Sequence, residues 1–131
     1  MKKIILDTNI LLVPEKYKVD IFEEIKRICD FKYEIWILKQ TIIELEKLKT
    51  EGKVADKRAA SVGFSLIKSK DLKILSENEG YTDDIVVNLA KKGFIAVTQD
   101  KELKNRLKKI GAEYITLRQK KYLIIINKKV K

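Results

Sequence analysis

The chain contains no histidine, one cysteine and one proline, with five glycines in 131 residues. Without histidine there is no Ser-His or Cys-His nucleophile pair, no paired-imidazole acid–base chemistry and no ordinary His-rich zinc site. A single thiol, Cys29, makes neither an internal disulfide nor a thiolate cluster, and its place in a helical pattern reads as a small buried hydrophobe. So little proline and glycine leaves no room for a long flexible linker. No apolar run approaches the ~18 residues of a membrane span, and no secretory leader is visible, so no membrane partner is expected. A reducing, cytoplasmic setting is the default. Any reactive groups must come from Asp, Glu, Lys, Tyr, Ser or Thr, and carboxylates holding a metal are the simplest option.

What the chain does have is core-forming residues and positive charge. At 131 residues and 45% hydrophobic, it fits one domain, 1–131, with a proper core. The net charge of +10 is concentrated. Residues 101–131 carry eleven Lys or Arg against Glu102 and Glu113, whereas the first hundred are nearly balanced. A basic end on a neutral body suits a polyanion such as nucleic acid. A Lys-rich soluble surface gives the same composition.

Periodicity supplies the layout. Short apolar or β-branched runs predict strands at 3–6, 33–38, 71–75, 94–98, 114–117 and 122–126. Apolar residues at three- and four-residue spacing predict helices after Asp20, from 41, over 56–69, over 82–92 and over 100–110. In the last of these Leu103, Leu107 and Ile110 face inward. Trp36, inside the second strand, reads as core. Alternating strands and helices imply an α/β fold with right-handed crossovers and a mostly parallel sheet covered on both faces.

In such sheets ligands collect at the carboxyl ends of the strands. Asp7 ends the first strand and Asp100 follows FIAVT, so both sit on that edge. Asp83 and Asp84 open one helix and Glu44 lies near the start of another. Each also has a plain structural reading. Thr41 and Glu44 match a capping box, Asp83 and Asp84 suit a helix N-terminus, and Asp100 suits an N-cap. Helix capping does not account for Asp7, which stands among apolar residues. One divalent cation with hard oxygen ligands accounts for all of them.

The segments IILDTN, IIELEKL, TDDIVVNLA and AVTQDKEL, in that order, resemble the four acidic motifs of the PIN-domain nucleases. The likeness runs from about Lys3 to about Ile126. LDTNILLVPEKYKVDIFEEI and GYTDDIVVNLAKKGFIAVTQDKELKNRLKKIG look most like the branch that processes precursor ribosomal RNA, and less like toxin nucleases. The resemblance implies a three-layer α/β/α sandwich with a central, mostly parallel sheet. It implies that Asp7, Glu44, Asp83 or Asp84, and Asp100 form a catalytic pocket for Mg²⁺ or Mn²⁺. Asn9 and Thr98 fall where the family places small polar residues that brace the site. The implied activity is endonucleolytic hydrolysis of single-stranded RNA, leaving 5′-phosphate and 3′-hydroxyl ends.

Such a reaction needs a nucleophile at neutral pH and relief of charge on the phosphate, and a carboxylate-held metal supplies both. Asp7, Asp83 and Asp100 are expected as metal ligands, with Glu44 either binding metal or orienting water. Asp84 points ~100° away from Asp83 around the helix, and the inward residues Val86, Val87 and Ala90 rank Asp83 ahead of it. Lys104, Arg106, Lys108, Lys109, Arg118, Lys120 and Lys121 are expected to contact phosphates, with little sequence preference. Tyr114 and Tyr122 suit stacking on bases, and equally core packing or an interface. Choice of RNA target would then rest on RNA shape or on protein partners; a homodimer is a further expected association. Two other readings stand: a toxin ribonuclease held by an antitoxin protein, and a non-catalytic RNA-binding assembly factor. An aspartyl-phosphate phosphatase would need a second Asp two places after Asp7, where Asn9 stands.

Overall fold

In the computed structural model, which describes residues 1–76 and 80–127, six strands form one sheet in the order β3-β2-β1-β4-β5-β6. The strands are β1 (Lys2–Leu6), β2 (Tyr33–Leu38), β3 (Lys73–Leu75), β4 (Ile95–Val97), β5 (Tyr114–Arg118) and β6 (Tyr122–Ile126). All neighbours are parallel except β5 and β6, which form an antiparallel hairpin. A 3₁₀ helix, Thr8–Leu12, leads into α1 (Val13–Tyr17). Then come α2 (Ile21–Ile28), α3 (Lys39–Glu51), α4 (Val54–Ser69), α5 (Thr82–Lys91) and α6 (Lys101–Lys109).

Alternation along β1 builds the layers, because successive side chains on a strand point to opposite faces. Ile4 and Leu6 enter a core shared with Ile21, Ile25, Leu45, Ala60 and Ile67, so α2, α3 and α4 cover that face. Ile5 enters a second core with Val86, Leu89, Leu103 and Leu107, so α5 and α6 cover the other. The result is the expected α/β/α sandwich. Gly63 of α4 lies against the 3₁₀ helix, where an added Cβ would stand 2.9 Å from the Leu11 carbonyl oxygen.

Several expectations change. The apolar run after Asp7, to which periodicity assigned no element, is helical, with Pro14 in the first turn of α1, where its missing N–H costs nothing. α3 starts at Lys39, so Thr41 is inside the helix and makes no capping box. Ile110 lies past the end of α6 and is exposed rather than inward. Trp36 is only half-buried; its indole N–H donates to Glu34, and Lys3 and Lys73 sit over its ring. Cys29 is half-buried at the end of α2, and burial pushes its thiol pKa up, away from nucleophilic use.

Candidate active site

The carboxyl ends of β1 and β4 lie side by side, since Leu6 pairs with Val97 and the Asp7 N–H donates to the Val97 carbonyl at 3.0 Å. That juxtaposition brings two segments ninety residues apart into one network. The Thr98 hydroxyl donates to Asp7 Oδ2 at 2.7 Å, and Asn9 Nδ2 donates to the same oxygen at 3.0 Å. The Thr8 N–H donates to Asp7 Oδ1 at 2.9 Å. Asn9 Oδ1 in turn accepts from the Gln99 N–H, and Thr98 Oγ1 accepts from the Asp100 N–H. Asp7 is therefore fixed on both oxygens.

Its buried position has two local reasons. The side chain caps the 3₁₀ helix through Thr8, and the Asp7 carbonyl accepts from Ile10. Capping thus does contribute to Asp7, contrary to the sequence reading, because the following apolar run turns out helical. At 7% exposure the carboxylate is nonetheless largely stripped of water.

Asp7, Thr8, Asn9, Leu12, Glu44, Thr82, Asp83 and Asp100 line one cleft of about 250 Å³. Glu44 arrives from α3 and is held by the Thr82 hydroxyl at 2.8 Å, which ties α3 to the start of α5. Asp100 caps α6, with Oδ1 accepting from the Leu103 N–H at 2.8 Å. The plain capping role and a place in the cleft coexist in this residue. Asp83 lines the cleft, whereas its neighbour Asp84 does not and pairs with Arg106 on α6 at 2.8 Å. A larger groove of about 340 Å³ runs along α3 and shares only Glu44 with the acidic cleft.

The charges in the cleft are in conflict. Burial raises the Asp7 pKa against the opposing pull of Thr98 and Thr8, and the charges of Asp83 and Glu44 raise it further. Asp83 is likewise raised by burial and then by Asp100, with Arg106 partly offsetting them. Among the described residues no three acidic or thiol groups already converge as a closed metal cage. Four carboxylates, from β1's end, α3, α5 and the start of α6, nonetheless line the one cleft, and positive charge there would relieve their mutual repulsion. Hard oxygen donors of this kind are the type that Mg²⁺ or Mn²⁺ takes.

The basic residues are divided by the topology. Arg118 ends β5, and Lys120 and Lys121 turn into β6, at the same sheet edge as Asp7 and Asp100. Lys120 also lies over the Tyr17 ring. Lys104 is half-buried one turn into α6, and Arg106 is engaged by Asp84. Lys108 and Lys109 stand at the far end of α6, ~12 Å along the axis from Asp100. Lys128, Lys129 and Lys131 lie outside the described residues. Tyr114 is 2% exposed in the second core, so it cannot stack on a base; the burial follows from its place on the inner face of β5. Tyr122 is half-buried beside Arg27. An exposed aromatic close to the cleft, Tyr81, was not among the sequence candidates; its place directly before TDD was the available signal.

Residues 4–120 match the family described as PIN like domain. Ribonuclease VapC4 of Methanocaldococcus jannaschii is 36% identical over 127 residues, covering 95% of this chain and 97% of that protein. Ribonuclease VapC9 of Archaeoglobus fulgidus is 28% identical, covering 92% of this chain and 87% of that protein. The structure of the PIN domain endonuclease Utp24 superposes with a TM-score of 0.75 at 24% identity, covering 98% of this chain and 96% of that one.

Proposed function

Since this chain belongs to the PIN-like domain family, we propose that it is a metal-dependent endoribonuclease cutting single-stranded regions of RNA. The observation that carries the reading is the convergence of Asp7, Glu44, Asp83 and Asp100, from four separate segments, on one cleft. Likeness to two proteins named as ribonucleases supports the choice of RNA.

Asp7, Asp83 and Asp100 would hold the ion, with Glu44 beside them. Bound Mg²⁺ or Mn²⁺ supplies charge relief at the phosphate and a water acidic enough to attack near neutral pH. The protein's own groups do the rest. Thr98 and Asn9 hold the Asp7 carboxylate in one orientation, and outer donors of this kind commonly change affinity or activity 10- to 100-fold. Glu44, steadied by Thr82, is placed to orient the water or accept its proton. Asp84 is drawn off by Arg106, which lowers the negative charge facing the substrate. Arg118, Lys120 and Lys121 at the same edge offer contacts for flanking phosphates.

Precursor ribosomal RNA is the first substrate to examine, on the strength of the motif resemblance to that branch. A second reading, a toxin ribonuclease restrained by an antitoxin protein, is favoured by the 36% identity to Ribonuclease VapC4. Tight co-purification with a small protein encoded alongside would select it.

The test is cleavage of a labelled single-stranded RNA with Mn²⁺ or Mg²⁺ by wild type, Asp7→Asn and Asp100→Asn. Both variants should fold, as judged by circular dichroism, and lose cleavage by at least two orders of magnitude (on the order of 10²). Equal activity in all three would defeat the reading. RNA binding without turnover by the wild type would favour an assembly factor instead.

A further inference from the structure

The most exposed large apolar side chain among the described residues is Tyr81, at 82%. A lone exposed apolar residue is ordinary on a protein surface. Its position is what sets this one apart. Tyr81 is the N-cap of α5, and its carbonyl accepts from the Ile85 N–H at 3.1 Å, so its backbone is held in place. The next residue, Thr82, donates to Glu44, and the one after, Asp83, lines the acidic cleft. The phenol ring makes no hydrogen bond or ring contact with any described residue. Tyr81 itself does not line the cleft; it is an exposed aromatic one residue before two that do, on a backbone hydrogen-bonded into α5.

We propose that Tyr81 is a stacking platform for the base of the nucleotide next to the scissile phosphate. The inference rests on the nuclease reading above, and it adds a residue that positions the strand. Every base has a π face, so a single aromatic platform favours a strand without demanding a sequence. In a duplex those faces are already stacked, so the same ring selects single-stranded over paired RNA. The surrounding charge suits this arrangement: Arg118, Lys120 and Lys121 at the same edge attract the backbone but cannot orient a base. Tyr114 and Tyr122 cannot substitute, because one is buried and the other half-buried.

The experiment measures binding of a short labelled single-stranded RNA, with Mn²⁺, in the Asp100→Asn background, where the strand stays intact. Tyr81→Ala should weaken binding about 5- to 150-fold, while Tyr81→Phe and Tyr81→Trp retain it. A series of oligonucleotides with one abasic nucleotide each should contain one position whose loss weakens the Tyr81 protein equally and costs Tyr81→Ala nothing further. Unchanged binding by Tyr81→Ala overturns the proposal and leaves the ring as a surface for a protein partner. A loss that no abasic position erases also overturns it. Absence of cleavage by the Asp100-containing protein, with the abasic coupling intact, would condemn the nuclease reading and keep Tyr81 only as a base-stacking contact of an RNA-binding surface.

Discussion

Asp7 holds a charge beneath three donors while facing other carboxylates. Its raised pKa means that the folded, metal-free protein binds this proton more tightly than the unfolded chain does. The corresponding stability is present at low pH and is lost as pH rises through the raised value. Asp83 behaves the same way. A cation in the cleft reverses the sign, because it stabilises the ionised forms and competes with protons for the same oxygens. Mn²⁺ should therefore raise the melting temperature more at pH 7 than at pH 5, and the rise should vanish in Asp7→Asn. Thermal denaturation at the two pH values checks this; a shift that is independent of pH, or retained in Asp7→Asn, would place the ion elsewhere.

At the scale of elements, β6 is an edge strand of the sheet, and its backbone at Leu123 is engaged by side chains of α2. Glu24 of α2 accepts from the Leu123 N–H at 3.0 Å, and Arg27 donates to the Leu123 carbonyl at 2.9 Å. The same two residues bond each other, so a helix pins the hairpin while blocking strand addition at that residue. The Arg27 hydrogen bond chiefly, then the Leu123 N–H, hold the Glu24 pKa below its ordinary value. A depressed carboxylate contributes stability that is full above the ordinary carboxylate range and lost as pH falls through the lower folded value. Glu24→Gln should cost roughly 1 kcal/mol at pH 7, and the gap to wild type should close below about pH 4. Urea denaturation across pH 3–7 measures both features. α3 and α5 show a related tie, with Thr82 bridging to Glu44, so the cleft and the packing of its walls depend on the same bond.

At the scale of the whole molecule, the described basic residues of the C-terminal part fall into two groups. α6 runs away from the cleft, so Lys108 and Lys109 end far from Asp100, while Arg118, Lys120 and Lys121 remain at the sheet edge that carries the acidic cleft. Replacing Arg118, Lys120 and Lys121 with Gln should weaken RNA binding and flatten the slope of log affinity against log salt by up to about 2. Replacing Lys108 and Lys109 should change both much less. Titrations at several salt concentrations decide this; equal effects would mean that RNA wraps the whole basic end.

The sequence by itself determined the elements and the chemistry available. Alternating apolar runs, helix-period faces and the ordered acidic motifs are local patterns, and local backbone preferences are enough to express them. The helical turn after Asp7 was missed because ILLV reads equally as a strand, and the early start of α3 removed a capping box that spacing alone had suggested. Tertiary structure decided the rest. It gave Asp84, which helical spacing had already ranked behind Asp83, an arginine partner on another helix. It buried Tyr114, left Tyr81 in water, and parted the basic residues between two edges of the sheet. Each of these outcomes depends on which distant segment lies alongside, and contacts between residues far apart in the chain leave no local pattern to read.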